Sequence, residues 1–218
     1  MNTLEDLYNP KNFADFIYPN EVVEAKVKQY INHNERKPLL LYGDYGTGKT
    51  TIARLLCEHF EKTGSYVEHI DIRNAEKHSK WLKQFEHENK FFHLIQSTSN
   101  VERVLSWDEF EIDNKSVYAF KRVIDLFPTS HLLICTCNYE PFSKLNEGIK
   151  QRFSCVEIEA LSAEQMLPYA TRILNEQGMF VDNDLLLANL KTCRSSVRNY
   201  FDKLSDLLAV HKLKNETT

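Results

Sequence analysis

Eight consecutive residues, from Gly43 to Thr50, have the types and the spacing that bind phosphate. They follow the form G-x-x-x-x-G-K-[ST], in which glycines let backbone N–H groups converge on an anion and the lysine adds positive charge. An apolar stretch precedes the loop and a helical pattern follows it, so a helix N-terminus points at the phosphates. The pattern predicts a nucleotide site, with Lys49 on the β- and γ-phosphates and Thr50 on Mg²⁺. The predicted nucleotide-binding residues of this segment are Gly43, Asp44, Tyr45, Gly46, Thr47, Gly48, Lys49, Thr50 and Thr51.

Two acidic residues stand where such a phosphate site needs carboxylates. Asp108 and Glu109 directly follow Val101–Trp107, a stretch with the composition of a buried strand. We expect Asp108 to hold magnesium through water, and Glu109 to orient and activate the attacking water. Because a transferase must exclude water, an activating glutamate favours hydrolysis of ATP over transfer of phosphate to a metabolite. A small-molecule kinase is the disfavoured alternative.

The elements that must position these residues alternate between short apolar strands and longer helical stretches. This alternation is typical of a parallel sheet with covering helices, that is, of a three-layer α/β core. The predicted strands are Pro38–Tyr42, Tyr66–Ile72, Val101–Trp107, His131–Cys137 and Ser154–Ile158. The predicted helices are Asn20–Asn32, Lys49–Lys62, Ala75–Glu88, Ser116–Leu126 and Pro141–Arg152.

A helical module is predicted after Glu159, where the strand pattern ceases. Ser162 followed three residues later by Gln165 is the start signal of a helix. Apolar residues then recur at steps of three and four, which indicates about three amphipathic helices. We therefore predict a P-loop α/β domain at residues 1–160 and a small all-helical lid domain at residues 161–218.

Composition narrows the class of protein. The 218 residues are 42% hydrophobic and 27% charged, values near the average for soluble globular chains, with no apolar run long enough to span a bilayer. The net charge of −4 disfavours a protein that coats nucleic acid by bulk charge but allows a local basic face. The N-terminus lacks the basic and apolar segments of a secretory signal, so an intracellular protein is expected. The five cysteines are expected to be reduced core thiols. A metal site at Cys135 and Cys137 is the disfavoured alternative, because no matching histidine cluster accompanies them.

Taken with the phosphate loop, the N-terminal segment carries a family resemblance. Leu7–Phe16 is similar to the Tyr-x-Pro-x-x-Phe-x-Asp-Phe segment of AAA+ ATPases, and within them of the clamp-loader (replication factor C-like) and related initiator group. In that group the segment embraces adenine, so the resemblance implies adenine contacts from Tyr8 and Pro10. The alternative is an ordinary cap that packs Phe13 and Phe16 into the core.

The resemblance also implies roles for three polar residues near strand and helix ends. Asn138 resembles the sensor 1 residue, which helps to position the water beside the γ-phosphate. Gln151-Arg152-Phe153 stands in place of the family's Ser-Arg-Cys, whose arginine acts in trans as a finger in the neighbouring subunit's site. Ser195–Asn199 resembles Gly-Asp-x-Arg-x, which makes Arg198 the sensor 2 arginine, with Arg194 as the alternative.

Basic residues in two stretches are candidates for DNA contact. Ile72–Ala75 resembles the family's Asn-Ala-Ser turn, which leads into a helix that tracks duplex DNA in clamp loaders, as does the helix after the Asp-Glu pair. A solvated lysine face, diluted by acidic neighbours, is the alternative. The candidate residues are Arg73, Lys77, Lys80, Lys83, Lys115, Lys121 and Arg122.

The resemblance implies an oligomeric switch that binds ATP and Mg²⁺, hydrolyses ATP and acts in DNA replication or related processing. Its expected partners are identical or different AAA+ subunits, DNA, and a sliding clamp or helicase, and no membrane is expected among them. The expected location is the cytoplasm, in association with the nucleoid, or the nucleus of a eukaryote. Clamp-loader subunits continue into a helical collar, whereas this sequence stops after the lid, so assembly is expected to depend on the ATPase modules, a partner or DNA. The alternatives are a helicase loader, a transposition-type regulator, and an accessory binding module with little turnover.

Overall fold

The computed structural model describes residues 3–70, 82 and 101–216. No helix in these ranges combines the length and the apolar character that crossing a bilayer requires. The chain divides into two compact units, each assembled from separate segments. The sheet unit contains Val22–Gly43 and Lys49–Ile158, and the helical unit contains Met1–Glu21, Asp44–Gly48 and Glu159–Thr218.

Strands and helices alternate through the first part of the chain, and helices alone follow. The described strands are β1 (Leu39–Gly43), β2 (Tyr66–His69), β3 (Arg103–Trp107), β4 (His131–Asn138) and β5 (Ser154–Glu157). The described helices are α1 (Leu4–Tyr8), α2 (Glu21–Ile31), α3 (Lys49–Lys62), α4 (Val117–Asp125), α5 (Tyr139–Lys144), α6 (Glu147–Lys150), α7 (Ala163–Glu176), α8 (Asn183–Leu190) and α9 (Val197–Glu216). The helix predicted at Ala75–Glu88 lies outside the described ranges except for Leu82, which is helical.

The sheet unit is built on five parallel strands in the order β2-β3-β4-β1-β5. Of the three inner strands of this sheet, β1 and β4 are buried along almost their whole length, and this explains their nearly continuous apolar sequences. Gly43 pairs in register with Asn138, so the carboxyl ends of these two strands lie side by side. Ligands of open parallel sheets bind beyond this edge. The predicted fold class, a P-loop parallel sheet followed by helices, is confirmed.

One face of the sheet packs against an aromatic core. Leu133, Cys135 and Cys137 alternate along β4 and point to this face, as the two-residue period of a strand requires. They are buried in the same cluster as Phe120 and Val123 of α4. Because β4 lies at the centre of this packing, the end of the strand is held firmly where the polar residues begin.

The helix predicted at Pro141–Arg152 is two short helices, so that prediction was wrong. Leu145 has extended backbone angles, which ends α5. Asn146 then caps α6, because its side chain accepts a hydrogen bond from the Gly148 amide at 2.9 Å. An asparagine that satisfies a helix start competes with continuation of the preceding helix.

The helical unit begins its main helix as the sequence predicts. The Ser162 hydroxyl accepts from the Gln165 amide at 3.2 Å, and the Gln165 side chain accepts from the Ser162 amide at 2.9 Å, a complete capping box for α7. The buried core of the unit includes Ile173, Leu186 and Leu190. Leu185 is exposed, because the apolar stripe of α8 runs through Leu186 and Leu190, which are four residues apart.

Candidate functional site

The phosphate-type loop uses glycine where side chains do not fit. Gly43 is the last residue of β1 and packs closely against the backbone of Ile158, since an added β-carbon would lie 2.4 Å from the Ile158 carbonyl oxygen. In the helical unit, Gly46 has a positive φ of 70° and an added β-carbon would lie 2.4 Å from the Ser196 hydroxyl. Both positions thus exclude other residues, by close approach at Gly43 and by backbone conformation as well at Gly46.

The rest of the loop holds itself in shape within the helical unit. Thr47 is buried, and its hydroxyl donates to the Asp44 carbonyl oxygen at 3.1 Å. The Gly46 carbonyl oxygen accepts from the amide of Val197 at 2.9 Å, the first residue of α9. Tyr45, by contrast, is exposed. The loop of this unit is therefore fixed by backbone bonds and leaves one aromatic side chain in solvent.

The lysine of the motif is buried and turned back towards the end of β1. Lys49 is the first residue of α3, and only 7% of it is exposed. Its ammonium donates to the Gly43 carbonyl oxygen at 3.2 Å. A buried ammonium beside the end of β1 suits a strongly anionic ligand, because burial strengthens its attraction to phosphate. Thr51, next to the predicted magnesium residue, is half-buried in the same helix turn.

The structure brings together the two predicted magnesium residues. The Thr50 hydroxyl donates to Asp108 Oδ1 at 3.0 Å, although the residues lie 58 positions apart in sequence. The hydroxyl of Thr136 donates to the same carboxylate oxygen. A hydroxyl and a carboxylate are the oxygen ligands that Mg²⁺ takes, usually together with several waters, so this donor set fits the ion.

Glu109 has an unusual backbone conformation. Its φ is 52°, in the left-handed region that few residues other than glycine, asparagine and aspartate adopt. The Glu109 amide donates to Thr136 Oγ1 at 3.1 Å, and the residue is exposed. A backbone in this region costs about 1–3 kcal/mol and persists only where neighbouring contacts hold it. The carboxylate is thus presented to solvent from a strained, anchored turn.

Thr136 is a residue that the sequence prediction missed. The signal was present, because Thr136 is the one hydroxyl side chain within the apolar strand His131–Asn138 and shares a strand face with Asn138 two residues later. Its contacts emerge only when β3 and β4 pair, with Trp107 opposite Cys135. Proximity to the acidic pair therefore depends on tertiary structure.

Asn138, the predicted sensor 1 residue, stands at the end of β4 and just before α5. It occupies the cap position of that helix, but its side chain makes no capping hydrogen bond. Register with Gly43 brings Asn138 to the start of the loop, which is compatible with the predicted role.

The predicted arginine finger is engaged within its own unit. Arg152 binds both carboxylate oxygens of Asp125 at 2.7 Å, and its remaining terminal nitrogen donates to the Gly148 carbonyl oxygen at 2.7 Å. The guanidinium lowers the pKa of Asp125, and the bonded carboxylate raises the pKa of Arg152. Action on a neighbouring subunit stays a prediction, and it requires this side chain to leave or extend its present contacts.

The predicted adenine and sensor 2 residues lie in the helical unit. The Tyr8 hydroxyl accepts from the Gln177 amide group at 3.2 Å, and the Tyr8 carbonyl oxygen accepts from the Tyr169 hydroxyl. Pro10, two residues later, is half-buried. Arg198, near the start of α9, is exposed and lies 3.9 Å from the Glu5 carboxylate. The structure thus ties Tyr8 to α7, while Arg198 forms a long, exposed ion pair with Glu5.

The candidate DNA contacts are only partly described. Lys115 and Arg122 are exposed at the start and on the surface of α4, and Tyr118 between them is exposed as well. Lys121 is half-buried, with its ammonium close to the α-carbon of Gly148. The candidates outside the described ranges are Arg73, Lys77, Lys80 and Lys83.

The two cysteines of β4 are buried thiols of the sheet core. Burial raises the pKa of Cys137 to about 12 and raises that of Cys135 as well. Thiols held in this way stay protonated at neutral pH, whereas metal ligation needs thiolate. Among the residues that the structure describes, no group of three or more histidine, cysteine, aspartate or glutamate residues could hold a metal ion.

Comparison with known proteins identifies a family match over the sheet. Residues 39–160 match the model of the ATPase family associated with various cellular activities (AAA). Among curated proteins, the chain is 23% identical to replication factor C small subunit 2 of Pyrobaculum aerophilum, over 96% of this chain and 65% of that protein. It is 24% identical to replication factor C subunit 4 of Caenorhabditis elegans, over 96% of this chain and 64% of that protein.

Solved structures with the same fold come from two further proteins. The chain matches RuvB of Thermotoga maritima, described as a Holliday junction branch migration motor, with a TM-score of 0.64 at 18% identity, over 94% of this chain and 67% of that one. It matches DnaA of Aquifex aeolicus bound to AMPPCP with a TM-score of 0.63 at 18% identity, over 96% of this chain and 67% of that one. The chain spans 54% to 65% of the length of the replication factor C small subunits from two archaea.

Proposed function

The chain belongs to the AAA family of ATPases, whose model covers residues 39–160, and we propose on this premise that it binds ATP with Mg²⁺ and hydrolyses it. The observation that carries the proposal is the 3.0 Å hydrogen bond between Thr50 and Asp108. It joins the last residue of the phosphate motif to the acidic residue after β3, and this pairing is the one that a magnesium–nucleotide site needs.

The residues would divide the work by their chemistry. Backbone N–H groups of the loop and the Lys49 ammonium bind the phosphates, while Thr50 and Asp108 hold the ion. Bound Mg²⁺ would neutralise charge on the phosphate oxygens. Glu109, exposed beside Asp108, accepts a proton from water and orients it. Asn138, at the end of β4, is suited to hold that water by hydrogen bonding.

We propose adenine contacts and lid contacts for the helical unit. Tyr8 and Pro10 lie on a segment whose fold is maintained by hydrogen bonds to α7, so they form a stable surface for a base. Arg198 carries an exposed guanidinium that suits a phosphate better than its present ion pair at 3.9 Å.

At the level of biology, we propose a clamp-loader-like role in DNA replication or related DNA processing. The support is similarity to replication factor C small subunits over nearly the whole chain. In this role like or unlike AAA+ subunits associate, Arg152 completes a neighbour's site, and ATP closes the assembly on DNA with a sliding clamp or helicase. The proposed compartment is the one that contains the replicating DNA.

A steady-state ATPase assay with and without primed DNA, combined with mass measurement in ATP, tests the proposal. We expect Mg²⁺-dependent hydrolysis, a larger particle in ATP than in ADP, and stimulation by primed DNA. Absence of hydrolysis in every condition would exclude the proposed ATPase activity. If DNA does not change the rate of hydrolysis and the protein stays monomeric in ATP, the oligomeric DNA-processing role would be excluded, and only the ATPase activity would be supported.

A second candidate is a nucleotide-gated accessory module with little turnover. The engagement of Arg152 by Asp125 and Gly148 favours it, because a finger held in this way does not reach a neighbour's nucleotide. Tight ATP binding with turnover that stays negligible after every addition of partner subunits and DNA would select this candidate. A helicase loader or transposition-type regulator would instead bind a helicase or a transposition protein in an ATP-dependent manner.

A further inference from the structure

We propose that Thr136 is a positioning residue that sets the geometry of Asp108 and Glu109 together. The inference rests on the nucleotide-binding function proposed above, and deepens it by adding a residue outside the phosphate motif and the acidic pair. Thr136 is 3% exposed, so it is not itself placed to touch substrate. It acts through its two acidic neighbours.

The direction of each hydrogen bond follows from the groups involved. The Glu109 amide can only donate, so Thr136 Oγ1 accepts from it at 3.1 Å. The hydroxyl proton of Thr136 is then directed to Asp108 Oδ1, which as a carboxylate can only accept. One hydroxyl therefore joins the backbone of one acidic residue to the side chain of the other.

The backbone of Thr136 adds a third contact. Its carbonyl oxygen accepts from the Phe110 amide at 2.7 Å. Thr136 thus holds three consecutive residues, 108 to 110, and these contacts stabilise the left-handed φ of 52° at Glu109. The branched side chain of threonine restricts rotation about χ1, which fixes the hydroxyl further.

Thr136 differs from Thr50 in what it can keep on magnesium binding. Both hydroxyls donate to Asp108 Oδ1, but Thr50 is the proposed ligand of the ion. The Thr50 hydroxyl must therefore reorient when its oxygen binds the ion, whereas the hydrogen bond from Thr136 to Asp108 persists. The persistent bond keeps the Asp108 carboxylate in one orientation in both states.

The test replaces Thr136 with valine, which keeps the shape and removes the hydroxyl. Loss of a hydrogen bond to a charged group corresponds to about a tenfold effect. We expect Thr136→Val to raise the Mg²⁺ concentration for half-maximal ATP binding about tenfold and to lower kcat by at least about tenfold, while nucleotide binding in EDTA is unchanged. Thr136→Ser should keep the Mg²⁺ concentration for half-maximal ATP binding within about threefold of the wild-type value, because serine retains the hydroxyl.

Ser65→Ala is the matched control, since Ser65 is also buried in the sheet unit and donates to the Val101 carbonyl oxygen at 2.6 Å. It should lower the melting temperature without moving the Mg²⁺ dependence. If Thr136→Val is unfolded at the assay temperature, Thr136→Cys replaces it, because a thiol is a weaker donor of similar size.

The outcomes separate this inference from the function beneath it. A wild-type chain without Mg²⁺-dependent ATP binding would overturn the proposed function, and the role of Thr136 with it. A wild-type chain that binds normally, beside a Thr136→Val variant with unchanged Mg²⁺ dependence and kcat, would overturn the role of Thr136 alone. An equal loss of binding in EDTA and in Mg²⁺ would also overturn it, because that pattern indicates a general structural defect.

Discussion

Two carboxylates that are adjacent in the chain have different hydrogen-bond partners, and this difference supports the roles proposed for them. Asp108 accepts two hydroxyl hydrogen bonds on one oxygen, which restricts its orientation as a metal ligand requires. Both residues are exposed, but Glu109, among its described hydrogen bonds, is held only through its backbone amide. A carboxylate that is anchored by its backbone and open to solvent suits proton exchange with water.

Replacement of Glu109 by glutamine tests this division at the level of a single group. Glu109→Gln should bind ATP with unchanged affinity and lose turnover by about 100-fold or more, because an amide cannot accept the proton from water. Steady-state ATPase and a fluorescent-nucleotide titration measure the two effects. Glu111→Gln, an exposed glutamate two positions further on, is the control and should behave as wild type. A normal rate in Glu109→Gln would exclude it as the activating carboxylate.

A buried histidine should make stability depend on pH. Desolvation, with a smaller effect from Arg103, lowers the pKa of His131 from its ordinary value of 6.5 to about 4. The unfolded chain then binds a proton that the folded chain does not, so stability is lost as the pH falls from about 6.5 towards 4. The loss should reach about 2 kcal/mol at pH 5.

Urea unfolding of wild type and His131→Asn across this pH range measures the effect. The variant should be less stable at pH 7 and should show a flatter dependence between pH 4 and 6.5. His33, whose pKa is also lowered by burial, adds a slope of the same sign in both proteins. Identical slopes in the two proteins would show that His131 takes up its proton as easily in the folded state as in the unfolded one.

At the scale of elements, the start of α7 is defined by two side chains. Ser162→Ala removes the capping hydroxyl and should lower the free energy of unfolding by about 1 kcal/mol. Ser205→Ala is the control within the same unit. The Ser205 hydroxyl donates to the Phe201 carbonyl in the interior of α9, where alanine is the better helix former, so this variant should be neutral or slightly more stable. Equal destabilisation by both changes, in chemical denaturation, would contradict the capping role.

The predictability of each element follows from where its stability arises. The strand His131–Asn138 is predicted to within one residue, because a strand buried on both faces must be apolar throughout. The helix Lys49–Lys62 is predicted at both ends by its apolar spacing and by the motif before it. The break at Leu145 and Asn146 is not predictable from periodicity, because a local side-chain bond to Gly148 starts a new helix there.

The site follows the same division. Thr50 and Asp108, for which the sequence predicts magnesium binding, lie within hydrogen-bond distance, because β1 and β3 are parallel and the residues that follow them meet at one end of the sheet. Thr136 was not predicted, since its contacts to the acidic pair arise only from the pairing of β3 with β4. Sequence spacing alone could not reveal the bidentate ion pair between Arg152 and Asp125, because the two residues lie 27 positions apart and are separated by two helices.

At the scale of the whole molecule, the question is whether one chain contains a complete site. Arg152→Ala should bind ATP normally yet hydrolyse it at least about tenfold more slowly, if the arginine acts on a neighbour's nucleotide. Mixtures with Lys49→Ala subunits test this in steady-state assays, because a Lys49→Ala subunit still offers its arginine to an Arg152→Ala neighbour. Mixed samples should therefore exceed the sum of the two alone.

The control for this experiment is Lys150→Ala, which removes a neighbouring cation that pairs with Glu147 and leaves the Arg152 contacts in place. It should hydrolyse ATP as wild type does in every mixture. Mixtures that never exceed the sum of their components would mean that each chain works by itself.

The left-handed backbone of Glu109 sets stability against activity. Glycine at this position would relieve the strain and would also abolish the carboxylate, with a gain of about 1 kcal/mol in the free energy of unfolding. A library randomised at position 109 and screened only for heat resistance should thus become enriched in glycine and asparagine. The same library screened for ATP turnover should return glutamate. A more heat-resistant variant that is meant to keep the proposed ATPase activity should therefore retain Glu109.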